Sequence, residues 1–104
     1  MFELSPKLAA AKIVISWVPD SDFLPEDVTF LNPEVSISLY KFSAVDDDNP
    51  SAMLSGSPQL STDSKSILQL VIGGVRGAKY VLQFLADFSD AVQRDGVLAI
   101  FEVE

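Results

Sequence analysis

Four carboxylates crowd one short stretch, Asp20, Asp22, Glu26 and Asp27, and three more stand in a row at Asp46, Asp47 and Asp48, followed by Asn49. Paired carboxylates are the raw material of general acid–base and glycosidic chemistry. The chain has no histidine and no cysteine, so it offers no imidazole base, no thiolate nucleophile and no zinc–sulfur site. A chain of 104 residues also rarely forms the deep cleft such chemistry needs. The first cluster therefore reads as a charged loop facing water. The second suggests calcium, but calcium loops take ligands from alternate residues and place a glycine at the bend. Consecutive aspartates point to opposite sides, so Asp46–Asn49 reads as a solvated turn. Gly73-Gly74-Val75-Arg76-Gly77 suggests a phosphate cradle, yet it lacks the Gly-Lys-Ser/Thr ending and leads into a strand instead of a helix. No enzyme, metal or cofactor is expected.

Charge narrows the partners. Seven Lys or Arg stand against fifteen Asp or Glu, a formal charge of −8. Nucleic-acid binding draws on counterion release by Lys and Arg, and an anionic membrane repels the same surplus, so neither is an expected partner. The hydrophobic fraction is 48% and the mean hydropathy +0.28. Part of that apolar surface is expected to meet a neighbour instead of a private core. Glu3 and Lys12 interrupt the opening run MFELSPKLAAAKIVISW, which argues against a secretory signal, and no stretch reaches membrane-spanning length.

The elements that must position these residues follow period two. Residues 11–18 read as a first strand, 28–31 and 34–42 as two strands separated by Pro33, and 52–55 and 58–61 as two short ones. Residues 66–72 follow, with Ile67, Gln69 and Val71 on one face. In 78–88, Tyr80, Leu82, Phe84, Ala86 and Phe88 share a face, and in 97–103 so do Val97, Ala99, Phe101 and Val103. These are the strands of an all-β sandwich of about seven strands, occupying 11–104 as one domain. Residues 1–10 carry Phe2, Leu4 and Leu8 without a clear period, and read as an arm that either frays or lies across a neighbouring subunit.

The most specific stretch is 70–84. Glycines at 73, 74 and 77 supply the dihedrals of a tight crossing between sheets. Tyr80 stands just beyond them, where a corner tyrosine bonds back to nearby backbone in immunoglobulin-like and fibronectin type III-like Greek-key sandwiches. Trp17, with Phe23, Phe30 and Phe42, forms either core or an aromatic platform.

From Trp17 onward, about five-sixths of the chain, the sequence resembles the small bacteriophage proteins known as fibre–tail adaptors and related short immunoglobulin-like virion proteins. The resemblance rests on Trp17 followed by Leu24-Pro25-Glu26-Asp27-Val28, on the Gly-Gly-x-x-Gly-x-x-Tyr corner at 73–80, and on the terminal hairpin. The hairpin loop, Phe88 to Gly96, keeps Ser-Asp and Arg-Asp elements but is longer than the family's, with its glycine displaced. The resemblance implies a non-enzymatic virion component, assembled in the host cytoplasm, with several copies in a symmetric assembly. Its partners would be portal, neck, tail or fibre subunits. Phe2, Leu4, Leu8, Trp17, Phe23, Asp90 and Arg94 are the candidate interface residues. The alternatives are a capsid decoration or cement protein, and a carbohydrate- or receptor-binding module with exposed loop aromatics.

Overall fold

Alternation of apolar and polar side chains puts one face of each strand into a shared interior. The computed structural model describes residues 2–90 and 93–104. Seven strands are present among them: β1 (Phe2–Glu3), β2 (Lys12–Trp17), β3 (Phe30–Leu39), β4 (Leu54–Leu60), β5 (Ile67–Ile72), β6 (Lys79–Phe88) and β7 (Arg94–Glu102). They form a four-stranded sheet, ordered β1-β7-β6-β3, and a three-stranded sheet, ordered β2-β5-β4. All pairings are antiparallel except β1 with β7. The protein is all-β, with two sheets packed as a sandwich.

β6 is the centre of the larger sheet, and its alternation is complete: Tyr80, Leu82, Phe84, Ala86 and Phe88 are all buried. Each large side chain of this row contributes about 1.5–3 kcal/mol by leaving water. Ile67 and Val71 answer it from β5, with Phe101 and Val103 alongside. Gln69 shares the inward face of β5 and is fully buried. Its amide nitrogen donates to the carbonyls of Ser55, Gly56 and Leu70. Two of those carbonyls belong to β4 at the point where its pairing with β5 shifts register, between Ser55 and Gln59. The polar side chain thus replaces ladder bonds that the irregularity removes.

Several strand boundaries differ from expectation. Pro33 does not divide two strands. β3 runs through it, with Asn32 at φ 51 and a register shift between Leu31 and Glu34. β3 is an edge strand, where a residue lacking an N–H is tolerated. The two short strands expected at 52–55 and 58–61 are one, β4, preceded by a 3-10 turn at Pro50–Met53. Pro50 has the fixed φ that suits the start of such a turn, and Met53 is buried beneath it. The last strand begins at Arg94, three residues early, and places Gly96 opposite Leu85 within the sheet.

Residues 2–9, expected as an arm, lie along β7 of their own chain. Phe2 and Glu3 pair with Ala99 and Ile100, and Lys7 bridges to Val103. The Lys7 side chain is only 2% exposed, and its ammonium donates to the carbonyls of Leu8 at 2.8 Å and Gly73 at 2.7 Å. That burial pulls its pKa below the ordinary lysine value.

Candidate protein-binding groove

At one end of the sandwich the core is aromatic. The Trp17 ring lies 5.1 Å from that of Phe23, 5.0 Å from Phe30 and 6.3 Å from Phe84, while Phe88 stands 5.7 Å from both Phe23 and Phe30. Such pairs add about 0.5–1.5 kcal/mol each beyond their buried area. Phe42 takes no part. It lies past the end of β3, 71% exposed, against Tyr40 and beneath the Lys41 ammonium.

The two sheets do not close over this cluster on the side where β1 and β2 run. A groove of about 800 Å³ opens there. Its walls are Phe2 and Leu4 from the N-terminal segment and Ile15 and Trp17 from β2, with Phe84, Val97 and Ala99 behind them and Phe23 from the loop after β2. Phe2 shares the inward face with Ala99, yet it is 61% exposed, since none of the described residues covers the opening. Glu3, Asp20 and Asp22 stand at the rim.

The loop that carries Phe23 is held at both ends. Asp20 uses one carboxylate oxygen to accept the N–H groups of Asp22 and Phe23, both at 3.1 Å, a local turn that aspartate favours. Farther along, the Lys65 ammonium donates to the carbonyls of Pro25, Glu26 and Val28. One lysine from the β4–β5 connection thereby gathers three main-chain acceptors of the 25–28 segment. Nothing local in the sequence marks this role, since Lys65 lies about forty residues away.

Of the candidate interface residues, the structure brings Phe2, Leu4, Trp17 and Phe23 together at the groove. Trp17 is 9% exposed and is mostly core, whereas Phe23 is half-buried. Leu8 is exposed but lies outside the groove lining, next to Ala9, whose N–H meets the Glu104 carbonyl. Asp90 is exposed. Arg94 is engaged inside its own sheet, 3.0 Å from Asp87 and 2.7 Å from Glu34. The loop expected to carry contacts includes residues 91 and 92, which lie outside the described residues.

The corner stands at the far end. Gly73, Gly74 and Gly77 take φ of 62, 106 and 88. A Cβ on Gly74 would also come within 2.8 Å of Val103 and 2.9 Å of Met53. The Tyr80 hydroxyl accepts the Val75 N–H at 2.9 Å and donates to Asp47 at 2.7 Å. Asp47 is therefore not simply a member of a solvated turn. It is half-buried, and its other oxygen accepts the Asn49 N–H. Among the described residues no group of three or more histidine, cysteine, aspartate or glutamate side chains is placed to hold a metal ion, and no helix is long and apolar enough to cross a membrane.

No protein-family model matches this sequence, and no curated protein matches it.

Proposed function

We propose that the chain is a non-enzymatic, immunoglobulin-like structural module that binds other proteins through the groove side of its sandwich, as an adaptor within a bacteriophage particle. The observation that carries the binding role is the apolar groove, open between the edges of two sheets and floored by aromatic rings. An uncovered apolar surface rimmed by polar groups is characteristic of protein-interaction sites. The immunoglobulin-like assignment draws on the pairing order β1-β7-β6-β3 over β2-β5-β4, the parallel β1–β7 contact and the Tyr80 bond across the corner. The placement in a virion, beside portal, neck, tail or fibre subunits, draws on the sequence resemblance at Trp17–Val28, at 73–80 and in the terminal hairpin.

One observation favours a carbohydrate-binding module instead. Phe23 is half-buried beside Asp20 and Asp22, an aromatic face next to polar groups. The two readings part in a single experiment, the mass of the purified chain in solution with and without its genomic neighbours co-expressed. A stable complex with a neighbour supports the adaptor. A strict monomer that ignores every neighbour, combined with glycan-dependent quenching of Trp17 emission, supports the carbohydrate module.

A further inference from the structure

The two long sides of the sandwich are built differently. On one, β3 and β4 lie against each other, and each is interrupted. Asn32-Pro33 shifts the register of β3, and Gly56 to Pro58 fills the shift in β4. A proline has no N–H to offer an incoming strand and a bulge bends the edge away, so both edges are interrupted at these points. Along the regular stretch Glu34–Leu39 the side is closed by β3 lying against β4. On the other side, β2 runs from Lys12 to Trp17 without proline or register shift. β1 covers the outer edge of β7 only from Ala99 onward. Among the described residues no strand pairs with the outer edge of Arg94–Leu98. The groove lies between these two bare edges.

The main chain there is oriented for a partner. The N–H of Leu4 donates to the Ile100 carbonyl and that of Lys7 to the Glu102 carbonyl, so the even-numbered residues of β7 turn their polar groups outward. By the same alternation the Leu98 N–H and the Gly96 carbonyl face the uncovered stretch, while the Leu98 carbonyl is met by Phe2 in the β1 register and the Gly96 N–H by the Asp95 carboxylate. Glu3, Asp20 and Asp22 line the rim, and no lysine or arginine lines the groove among the described residues.

We propose that the groove takes an extended segment of a partner protein in which apolar residues alternate and lysine or arginine flanks them. The segment adds as a strand to the bare stretch of β7. Its apolar side chains drop onto Trp17, Phe84 and Val97, and its cations meet Glu3, Asp20 and Asp22. Main-chain bonds supply affinity in such strand addition, and the side-chain pockets supply specificity. The proposal rests on the protein-binding function above and defines the chemistry of the partner. A second copy is the wrong occupant, because it brings another −8 to an acidic rim.

Trp17 is the single tryptophan and lines the groove, so its emission reports occupancy. The probes are end-capped heptapeptides titrated into the intact chain. One alternates lysine with valine and isoleucine, the second has glutamate for lysine, and the third is the lysine peptide N-methylated at alternate amides. The lysine peptide is expected to shift Trp17 emission saturably, at least about tenfold more tightly than the other two, and to weaken with salt. Replacing two exposed rim residues, Glu3→Lys with Asp22→Lys, is expected to reverse the preference toward the glutamate peptide without disturbing the core. An unresponsive Trp17, equal binding of the lysine and glutamate peptides, undiminished binding of the N-methylated peptide, or self-association through the groove would overturn the proposal. A neighbour complex that survives the double replacement overturns the groove and leaves the adaptor function standing. Lysine-peptide binding without any neighbour complex does the reverse.

Discussion

The Tyr80 hydroxyl donates to a carboxylate oxygen of Asp47 at 2.7 Å, joining the start of β6 to a loop thirty-three residues earlier in the chain. The Tyr80 hydroxyl oxygen in turn accepts the Val75 N–H. One buried hydroxyl thus ties the glycine corner, the aspartate loop and the central strand together. Burial pushes the phenol's pKa above its ordinary value, and the nearby Asp47 adds to the rise, while the Val75 N–H works against it.

Tyr80→Phe removes both bonds and strands the Val75 N–H. A loss of about 1–3 kcal/mol is expected in urea unfolding followed by Trp17 emission. The alkaline limb changes too. Because the folded phenol holds its proton more tightly than the unfolded one, its contribution is complete below the ordinary tyrosine pKa and is lost as pH rises through the folded value. That descending limb should be missing from Tyr80→Phe. Lys7 acts in the opposite sense: its depressed folded pKa makes stability rise with pH until the ordinary lysine value is passed. An alkaline profile of Tyr80→Phe that still falls as in the parent would contradict the assignment.

Asp87 and Asp63 contribute to the acid limb. The Asn32 amide first, and Arg94 second, hold the Asp87 carboxyl below the ordinary aspartate value, and the Ser61 hydroxyl leads in doing the same for Asp63. A depressed carboxylate contributes stability that is present above its unfolded pKa and lost as pH falls through the folded one. Asp87→Asn should therefore flatten the decline of the urea midpoint below about pH 4. It should leave the midpoint at pH 7 changed only modestly, since the pairs with Arg94 are solvent-exposed.

Lys65→Met leaves the carbonyls of Pro25, Glu26 and Val28 without their shared donor. Bonds to a charged group contribute about 1.5–3 kcal/mol each, shared here among three acceptors that water partly replaces. The expected result is a loss of about 1–2 kcal/mol by the same measure, with faster amide exchange concentrated in 23–28. Uniform acceleration across β5 and β6 would instead mean that Lys65 serves the whole core.

Gly96→Ala should be among the most damaging single-methyl additions. A Cβ at that position would sit on the Phe84 carbonyl oxygen in the neighbouring strand, so β6 and β7 must part locally. A loss of about 3 kcal/mol or more is expected by thermal unfolding. Gly56→Ala is the control. Nothing lies near its added Cβ, and only its φ of 73 opposes the change, at about 1–2 kcal/mol.

What the sequence made legible was side-chain alternation. The row Tyr80, Leu82, Phe84, Ala86 and Phe88 could be read directly, and every member is buried. Trp17, Phe23 and Phe30 were legible as a cluster by type, but Phe42 was not separable from them, because only the end of β3 at Leu39 turns it away. Pro33 misled as a strand breaker because edge position is a tertiary property. The segment 2–9 hid for a related reason: its pairing is parallel, interrupted at Ser5-Pro6, and anchored by a buried lysine that hydropathy assigns to solvent. Arg94 was placed among the interface candidates, and its pairing with Glu34 was hidden because the two come together only through the joint register of β3, β6 and β7.

The protected edges of β3 and β4 also bear on how far any assembly can grow. A molecule able to accept a strand on one side, with its opposite side closed where β3 lies against β4 and interrupted at Pro33 and Pro58, would be monofunctional in the polymer chemist's sense. Each copy would terminate the sheet it joins and pass nothing onward. Joined through that edge, the chain would decorate a fixed number of sites, and raising its concentration would saturate them without drawing out a filament.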